Sequence, residues 1–469
     1  MVIYGATGDL TRAKLLPSLF SLFKAGSLPK DFFIFGFSRR AISSQEFYDL
    51  FPHLQSDSAW LAFSNHLQYQ SGKFEEEAGY LELIEKLKAI DKQMGACITR
   101  FFYLATPPDN YEVILDHLSA TKLAEGCGQG SNMWTRIIIE KPFGKNLDTA
   151  KQLDQKLSQI FEERQIFRVD HYLGKENVQN MIAFRFANGI FEPVWNNKFI
   201  DHIQVTINEK NGIGARGKFY DGVGNLRDVA QNHLLQLLAA VTMEQPKSFT
   251  KEDVRDARVK AIEAIECIEP DTVATNVVRG QYASYKTEKN VDPSSQTETF
   301  VAMKFFMNSD RMRGLPIYVR AGKKMERDVV EISIVFIQTC HILFKEYGCP
   351  EIGNVITIRI QPDVGISMRF ITKTPGGKLA LEPVQMKFQY QDYFPGKSPD
   401  AYDKVLQDIL SGDQMLFNRS DELESSWQFI TTILDGWNQH HPPLFTYADE
   451  SVGPKEANEL IERDGRKWL

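Results

Sequence analysis

The strongest constraint on the fold is a change in hydrophobic period part-way along the chain. Through about the first 170 residues, short apolar runs alternate with segments whose apolar residues recur at helical spacing. The apolar runs are VIY (2–4), FFIFGF (32–37), FFYLA (101–105), RIIIE (136–140) and QIFRV (165–169). Helical patterns cover 15–23, 75–94 and 147–161. Buried strands that alternate with helices indicate a parallel α/β sheet.

Later segments alternate apolar and polar residues with a period of two, which is typical of strands with one covered face. They are HIQVTINEK (202–210), FVAMKFFM (300–307), VEISIVFIQ (330–338), VITIRIQP (355–362) and VQMKFQYQ (384–391). The predicted fold is therefore α/β plus α+β. An N-terminal Rossmann-like domain at 1–169 is followed, at 170–469, by a domain built on a large, mainly antiparallel sheet with helices on one face. Ligands commonly bind in the cleft between such domains.

Charge and cysteine content narrow the class of protein. The 61 acidic and 54 basic residues give a net charge of −7, which argues against nucleic acid or an anionic membrane as a partner. No apolar run approaches the ~18 residues of a membrane span, and the first residues lack the pattern of a secretory signal. The five cysteines include no CxxC pair, so we expect no disulfide framework, no metal and a reducing cytoplasm.

The first predicted strand leads into GATGDL (5–10), which opens the first predicted helix. Gly5 and Gly8 allow the backbone to approach a pyrophosphate, whose charge is favoured at a helix N-terminus. The spacing is GxxG rather than the full GxGxxG. A tight strand-to-helix turn without a ligand is therefore the alternative interpretation.

The end of the second predicted strand decides the cofactor. An NAD site usually offers Asp or Glu there for the ribose hydroxyls. Ser38, Arg39 and Arg40 occupy this place instead, and guanidinium groups suit a 2′-phosphate. We therefore expect NADP, with a pair of solvated surface arginines as the alternative. At the end of a further strand, EKPFG (140–144) would project Lys141 toward ribose and substrate, unless this lysine simply extends into water.

Two segments carry side chains suited to proton transfer. RVDHYLGKE (168–176) lies at a strand-to-helix junction, and NLRDVAQNHLLQLL (225–238) is an apolar helical pattern that contains Asp228 and His233. Histidine is the usual base near neutral pH, and a carboxylate behind it fixes its tautomer. We expect His233 to be the base and Asp170 its partner; a hydrogen-bonded core histidine is the alternative.

These motifs resemble those of the glucose-6-phosphate dehydrogenase family, bacterial type, over essentially the whole chain. The resemblance rests on GATGDL, EKPFG, RVDHYLGKE and DVAQNHLLQ in this order, with LPIYVRAGKKM (315–325) and GPKEANELIERDGRKW (453–468). It implies oxidation of glucose 6-phosphate at C1 to 6-phosphogluconolactone with NADP, the first step of the oxidative pentose phosphate pathway. It also implies a homodimer or homotetramer.

The resemblance assigns roles to individual residues. It makes His233 the general base and Asp170 its orienting carboxylate. Substrate contacts would come from Lys14, Lys141, His171, Tyr172, Lys175, Glu209, Asp228, Lys323 and Arg327, of which His171, Tyr172 and Lys175 would hold the phosphate. Cofactor contacts would come from Gly5, Thr7, Gly8, Asp9, Leu10, Ser38, Arg39, Tyr111 and Lys141.

One position departs from the family pattern. The family usually places a second basic residue about five positions after Lys323, where this chain has Asp328. We expect Arg327, one residue earlier, to serve in its place, and loss of that contact is the alternative.

Two rival functions compete with this interpretation. Another NADP-linked sugar dehydrogenase, of the glucose–fructose oxidoreductase superfamily, would also carry an EKP lysine, but a neutral sugar needs no phosphate pocket. A catalytically silent paralogue would have lost part of the catalytic set, whereas His233, Asp170, Lys141 and Lys175 are all present.

Overall fold

A computed structural model describes residues 1–126, 135–170, 172–394, 396 and 400–469. The strands are β1 (Val2–Tyr4), β2 (Ile34–Ser38), β3 (Leu67–Ser71), β4 (Arg100–Leu104), β5 (Thr135–Glu140), β6 (Ile166–Val169), β7 (Ile200–Asn208), β8 (Val277–Tyr282), β9 (Phe300–Phe305), β10 (Ile317–Gly322), β11 (Val329–Phe336), β12 (Val355–Gln361), β13 (Gly365–Lys373), β14 (Leu381–Gln389) and β15 (Leu444–Tyr447).

The helices that join these strands include two π-helical segments, Thr11–Leu15 and Leu226–Leu234. The α-helices are α1 (Leu16–Lys24), α2 (Ser44–Tyr48), α3 (Pro52–Gln55), α4 (Trp60–Ser64), α5 (Glu77–Met94), α6 (Tyr111–Ala120), α7 (Leu147–Ser158), α8 (Glu176–Ala187), α9 (Gly217–Tyr220), α10 (Leu235–Thr242), α11 (Lys251–Glu263), α12 (Val273–Asn276), α13 (Cys340–Phe344), α14 (Tyr390–Tyr393), α15 (Ala401–Ser411), α16 (Ser420–His440) and α17 (Lys455–Glu462). Among the described residues, no helix is long and apolar enough to cross a membrane.

The chain forms two compact units. The first contains residues 1–175, 250–255 and 399–423, and the second contains residues 176–249, 256–398 and 424–469. The first unit thus runs six residues past the boundary expected at Val169 and includes two later segments that the sequence had placed in the second domain. The reason is visible in the apolar core of this unit, where Tyr402, Val405 and Leu406 of α15 are buried together with Leu16 and Leu19 of α1.

The first unit is built on a parallel sheet. Within the described residues its strand order is β3-β2-β1-β4-β5-β6, and all the pairings are parallel. This order is that of a doubly wound dinucleotide-binding domain, whose strand order reverses between β1 and β4. The predicted Rossmann-like fold is confirmed. The carboxyl ends of β1, β2, β4, β5 and β6 therefore meet at one edge of the sheet.

The second unit is built on a larger sheet. In the described part of the chain, its strand order is β14-β13-β12-β11-β7-β10-β9-β8-β15. The pairs β7–β10 and β8–β15 are parallel and the others are antiparallel. The prediction of a large, mainly antiparallel sheet is confirmed.

The polar face of the central strand β7 is covered by the carboxyl end of the chain. The side chain of Gln204 donates to the carbonyl of Lys467 (2.8 Å) and accepts from the amide of Leu469 (3.0 Å). On the same strand, Asp201 forms a two-pronged ion pair with Arg466 (2.8 and 2.9 Å). Both faces of β7 are therefore covered, and its alternation of apolar and polar residues does not separate a buried face from a solvated one.

The expectation of no disulfide framework is wrong, so cysteine usage no longer supports the expected reducing cytoplasm. Cys340 and Cys349 form a disulfide, with their Cα atoms 5.9 Å apart, and Cys97 is also disulfide-bonded. A spacing of nine residues matches no sequence motif. It is the short helix α13 and a left-handed turn at Gly348 (φ 85°) that reverse the chain and bring the two side chains together.

Candidate functional site

The GATGDL segment forms a tight turn at the end of β1. Gly5 has φ +88°, and a Cβ placed on it would lie 2.3 Å from the carbonyl oxygen of Ala105. The amides of Gly5 and Ala6 donate to the carbonyl of Phe37 (2.8 and 3.3 Å), and the amide of Gly8 donates to the carbonyl of Gly5 (2.9 Å). Only glycine fits the first position, so the turn presents bare backbone at the start of a helix, as a pyrophosphate requires.

The other cofactor residues predicted from this turn lie on it or beside it. Thr7, Asp9 and Leu10 belong to the turn and the start of the helix that follows. The hydroxyl of Thr7 is hydrogen-bonded to that of Ser38 (2.9 Å), which ties the turn to the end of β2. The helix itself begins with π-helical turns at Thr11–Leu15, and Pro17 then stands in the first turn of α1.

Arg39 is exposed just past the end of β2. Its guanidinium lies 5.6 Å from the ring centroid of Phe74. A ring face holds a guanidinium in place without consuming its N–H donors. The Arg39 guanidinium and the Ser38 hydroxyl are therefore candidate donors to the 2′-phosphate of NADP at the end of β2.

Lys141 follows β5, at the edge where the parallel strands end. The residue before it, Glu140, accepts hydrogen bonds on Oε1 from the hydroxyls of Tyr103 (2.5 Å) and Tyr402 (3.2 Å). The hydroxyl of Tyr111 donates to the Glu140 backbone carbonyl (2.8 Å). Tyr111, predicted as a cofactor contact, is thus buried, and its hydroxyl bonds to the last residue of β5, next to Lys141.

Burial raises the pKa of Glu140 to about 7, and the nearby charge of Asp170 raises it further, while the hydroxyls of Tyr103 and Tyr402 and the charge of Lys141 lower it. Sequence reasoning missed Glu140, although it is the first letter of the EKP motif. Sequence spacing gave no signal for Tyr402, which lies 262 residues from Glu140 in the chain.

RVDHYLGKE contains both structural and candidate ligand residues. Arg168 is almost fully buried; it donates to both carboxylate oxygens of Glu163 (2.8 and 2.9 Å) and pairs with Asp154. Its role is therefore to fix β6. Asp170, also buried, accepts on Oδ1 from the amide of Tyr172 (2.9 Å), which closes the turn after the strand.

Three further residues of this motif, His171, Tyr172 and Lys175, are the predicted phosphate ligands. The ammonium of Lys175 lies 3.8 Å from the ring centroid of Tyr172, so a cation and a phenol stand side by side. His171, predicted as a third ligand, lies outside the described residues. Lys14, predicted to reach the substrate, forms an exposed ion pair with Asp400 (2.7 Å) in the same unit.

The second unit gathers three predicted sugar-binding residues around one ammonium. Lys323 is 1% exposed, and its Nζ lies 3.0 Å from Glu209 Oε2 and 3.1 Å from Asp228 Oδ2. The same ammonium lies 5.4 Å from the ring centroid of Tyr220. The cluster carries one positive and two negative groups, and an ammonium beside carboxylates is a set of donors and acceptors suited to sugar hydroxyls.

The parallel pairing of β7 and β10 brings Glu209 and Lys323 together. Asn208 and Gly322 are register partners at the carboxyl ends of these strands. Glu209 and Lys323 are the next residues, and the amide of Glu209 donates to the carbonyl of Gly322 (2.8 Å). Two side chains more than a hundred positions apart in sequence therefore leave the sheet at one edge.

Asp228 and His233 lie on the π-helical segment Leu226–Leu234, within the helical pattern predicted over 225–238. Continuous α-helix begins only with α10. In π-helical geometry the N–H of a residue bonds to the C=O five positions earlier, so Asp228 and His233 stand one turn apart; such segments are frequent at functional sites. His233 is 3% exposed, and its amide donates to the side-chain oxygen of Asn232 (2.6 Å).

Arg327 does not join this cluster. Its exposed guanidinium approaches Glu326 (3.6 Å), and it lines a surface concavity that also contains Arg359 and Arg369. The neighbouring Asp328 accepts from the amide of Lys210 (2.8 Å), which fixes the backbone just before β11. The expectation that Arg327 replaces the second basic contact stays a prediction.

Comparison with known proteins gives consistent matches. Residues 2–180 match the family model described as glucose-6-phosphate dehydrogenase, NAD binding domain, and residues 182–469 match its C-terminal domain. The glucose-6-phosphate 1-dehydrogenase of Chlamydia pneumoniae is 41% identical over 100% of this chain and 95% of its own length.

Solved structures agree with this match. A glucose-6-phosphate dehydrogenase solved in complex with its substrate glucose-6-phosphate superposes with a TM-score of 0.90 at 33% identity, covering 100% of this chain and 98% of the other. The glucose-6-phosphate 1-dehydrogenase of Mycobacterium avium gives a TM-score of 0.87 at 31% identity, covering 100% of this chain and 97% of the other.

The raised pKa of Glu140 predicts that stability falls as pH rises. Below about pH 4.5, the ordinary pKa, the carboxyl is protonated both folded and unfolded and costs nothing. Above about pH 7 it is ionised in both states, and the folded state carries the full cost of a buried charge. Glu140→Gln should therefore raise the free energy of unfolding at pH 8 by roughly 1–3 kcal/mol, and by less at pH 5.

Urea unfolding at both pH values measures this difference. Glu422→Gln, a change at another buried carboxylate of the first unit, is the matched control and should gain nothing at pH 8. If Glu140→Gln raised the free energy of unfolding equally at both pH values, or lowered it at pH 8, the raised pKa of Glu140 would be contradicted.

Proposed function

The chain belongs to the glucose-6-phosphate dehydrogenase family, and on that basis we propose that it oxidises glucose 6-phosphate at C1 to 6-phosphogluconolactone. The observation that carries this proposal is the Glu209–Lys323–Asp228 cluster. A buried ammonium held by two carboxylates offers fixed acceptors for sugar hydroxyls. NADP is the hydride acceptor in this reaction, and the Gly5 turn, Ser38 and Arg39 are the residues that would hold it.

His233 is the general base in this proposal. Removal of the C1 hydroxyl proton has to accompany loss of the C1 hydrogen, and an imidazole is suited to that step near neutral pH. Its place in a buried helical segment, one turn from Asp228, supports the assignment. Asp170 is proposed as the carboxylate that orients the imidazole and stabilises its charged form.

Tyr172 and Lys175 are proposed to bind the substrate phosphate, together with His171. An ammonium and a phenolic O–H are good donors to a phosphate oxygen. Contact with the Tyr172 ring supports this role, because it holds the flexible lysine near the phenol before substrate arrives. Lys141 is proposed to contact both the sugar and the cofactor ribose, and the Tyr111–Glu140 hydrogen bond steadies the backbone beside it.

We further propose that the protein is a cytoplasmic homodimer or homotetramer. The edge strand β14 exposes Val384 (42%) and Met386 (65%), and an exposed apolar edge strand is suited to covering by another subunit. A charged sugar phosphate cannot cross a bilayer unaided. An enzyme that acts on it is therefore expected in the compartment where the sugar phosphate is made, which supports the cytoplasm.

His233→Asn tests the base directly. Asparagine keeps a polar side chain of similar reach but cannot take up a proton. We expect kcat to fall at least about 10²-fold, while the KM values for both substrates change little. The control is His202→Asn, the same exchange at a buried histidine of β7 that is bonded to Asp201. A variant that keeps more than a tenth of wild-type turnover would exclude His233 as the base.

Arg39→Ala tests the cofactor proposal. Loss of charge-assisted bonds to the 2′-phosphate should raise KM for NADP about ten- to a hundredfold. KM for NAD, which lacks that phosphate, should not change. Lys24→Ala is the matched control, because Lys24 is also a cation over a phenylalanine ring of the first unit (5.0 Å from the Phe20 centroid). An equal change for NADP and NAD would contradict the role of Arg39.

A further inference from the structure

Glu298 is a buried carboxylate that none of the predicted roles uses. It lies two residues before β9, next to the loop that leads into the π-helical segment. Its Oε1 accepts from the amide of Leu226 (3.0 Å), the first residue of that segment. Its backbone carbonyl accepts from the amide of Asn225 (3.0 Å) and the hydroxyl of Tyr220 (3.2 Å). One residue thus binds the start of the segment that carries Asp228 and His233.

The loop is shaped to admit this carboxylate. Gly224 has φ +77°, and a Cβ placed on it would lie 2.2 Å from Glu298 Oε1. Any larger residue there would displace the carboxylate from Leu226. A glycine and an acid more than 70 positions apart in sequence are therefore a matched pair.

The adjacent residue, Thr299, binds the backbone of Lys323, whose side chain pairs with Glu209 and Asp228. Its carbonyl accepts from the amide of Lys323 (2.9 Å), and its hydroxyl is bonded to that of Tyr447 (2.9 Å). The Tyr447 hydroxyl also donates to the carbonyl of Lys323 (2.6 Å). Glu298 and Thr299 are consecutive, so one short stretch of backbone sets the distance between the helix of Asp228 and the strand end of Lys323.

The charges around Glu298 are consistent with a fixed acceptor. Burial raises its pKa, and the hydrogen bond from Leu226 with the charges of Arg227 and Arg279 lowers it. Both arginines line the same cavity, of about 530 Å³, as Glu298. A carboxyl group keeps an acceptor oxygen for the Leu226 amide whether or not it is protonated.

We propose that Glu298 is a positioning residue for substrate binding. It fixes the first turn of the π-helical segment, so that the Asp228 carboxylate keeps its ion pair with the Lys323 ammonium. The inference rests on the proposed function, because it concerns the same sugar-binding cluster. Asp228 lies two residues from the anchored amide of Leu226, whereas His233 lies seven residues from it, deeper in buried helix. Loss of the anchor should therefore affect sugar binding more than proton transfer.

Glu298→Ala provides the test. We expect KM for glucose 6-phosphate to rise about tenfold, while kcat falls less than about threefold and KM for NADP is unchanged. Glu298→Gln keeps an acceptor oxygen at the same reach and should restore KM to within about twofold of wild type. Asp201→Ala, which removes a half-buried carboxylate from the far end of β7, is the control for general loss of stability and should leave both KM values unchanged.

Three outcomes would overturn the inference. One is an unchanged KM in Glu298→Ala; another is a rise that Glu298→Gln shows equally; the third is a parallel rise in both KM values. If Glu298→Ala does not fold, Glu298→Asp takes its place. Aspartate keeps the carboxyl group but is one methylene shorter, so it should raise KM for glucose 6-phosphate and leave KM for NADP unchanged. A wild-type protein that reduces no NADP would refute the proposed function itself, so the two failures are distinguishable.

Discussion

Lys323 is an ammonium with almost no contact with water, and the site of the second unit is organised by the need to keep it charged. Moving an isolated ion of this size out of water costs of order 20 kcal/mol in an idealised low-dielectric interior. Glu209 and Asp228, both about 3 Å from its Nζ, offset that cost only while they remain in place. The ends of β7 and β10 and the first turn of the π-helical segment therefore meet at one ion-pair cluster.

In the first unit, too, candidate site residues lie directly after the ends of parallel strands. Its candidate residues also follow the carboxyl ends of parallel strands: the Gly5 turn after β1, Arg39 after β2, Lys141 after β5 and Asp170 after β6. Ligands of open parallel sheets bind at this edge. In the second sheet most pairings are antiparallel, yet Glu209 and Lys323 follow the parallel pair β7–β10. Local parallel pairing, rather than the class of the whole sheet, thus brings Glu209 and Lys323 to one edge.

Much of the fold could be predicted from sequence wherever a strand is apolar throughout. The strand predicted at VIY (2–4) has the same bounds in the structure, and the helix predicted at 75–94 is observed at Glu77–Met94. The strand β3 (LQYQS) was missed because three of its five side chains are polar. The strand β10 (IYVRAG) lies inside a motif that was recognised but not as a strand, because its alternation is short and ends in glycine.

The limits of prediction at the site are also physical. Motif residues on one turn, such as those of GATGDL, were identified because their neighbours in space are neighbours in sequence. Glu140 and Glu298 were missed because their partners, Tyr402 and Leu226, are distant in sequence, and burial rather than a motif determines their roles. The π-helical geometry around Asp228 also escaped, because apolar spacing over so short a segment does not distinguish a period of 3.6 from a slightly longer one.

The most direct test of the central claim follows NADP reduction with glucose 6-phosphate and with glucose under identical conditions. The phosphate ligands proposed around Tyr172 and Lys175, with the Lys323 cluster, predict rapid reduction with glucose 6-phosphate and little with glucose at equal concentration. Comparable rates with both sugars would contradict the phosphate pocket. No reduction with either sugar, by folded protein that binds both substrates, would mean that the scaffold is retained without catalysis.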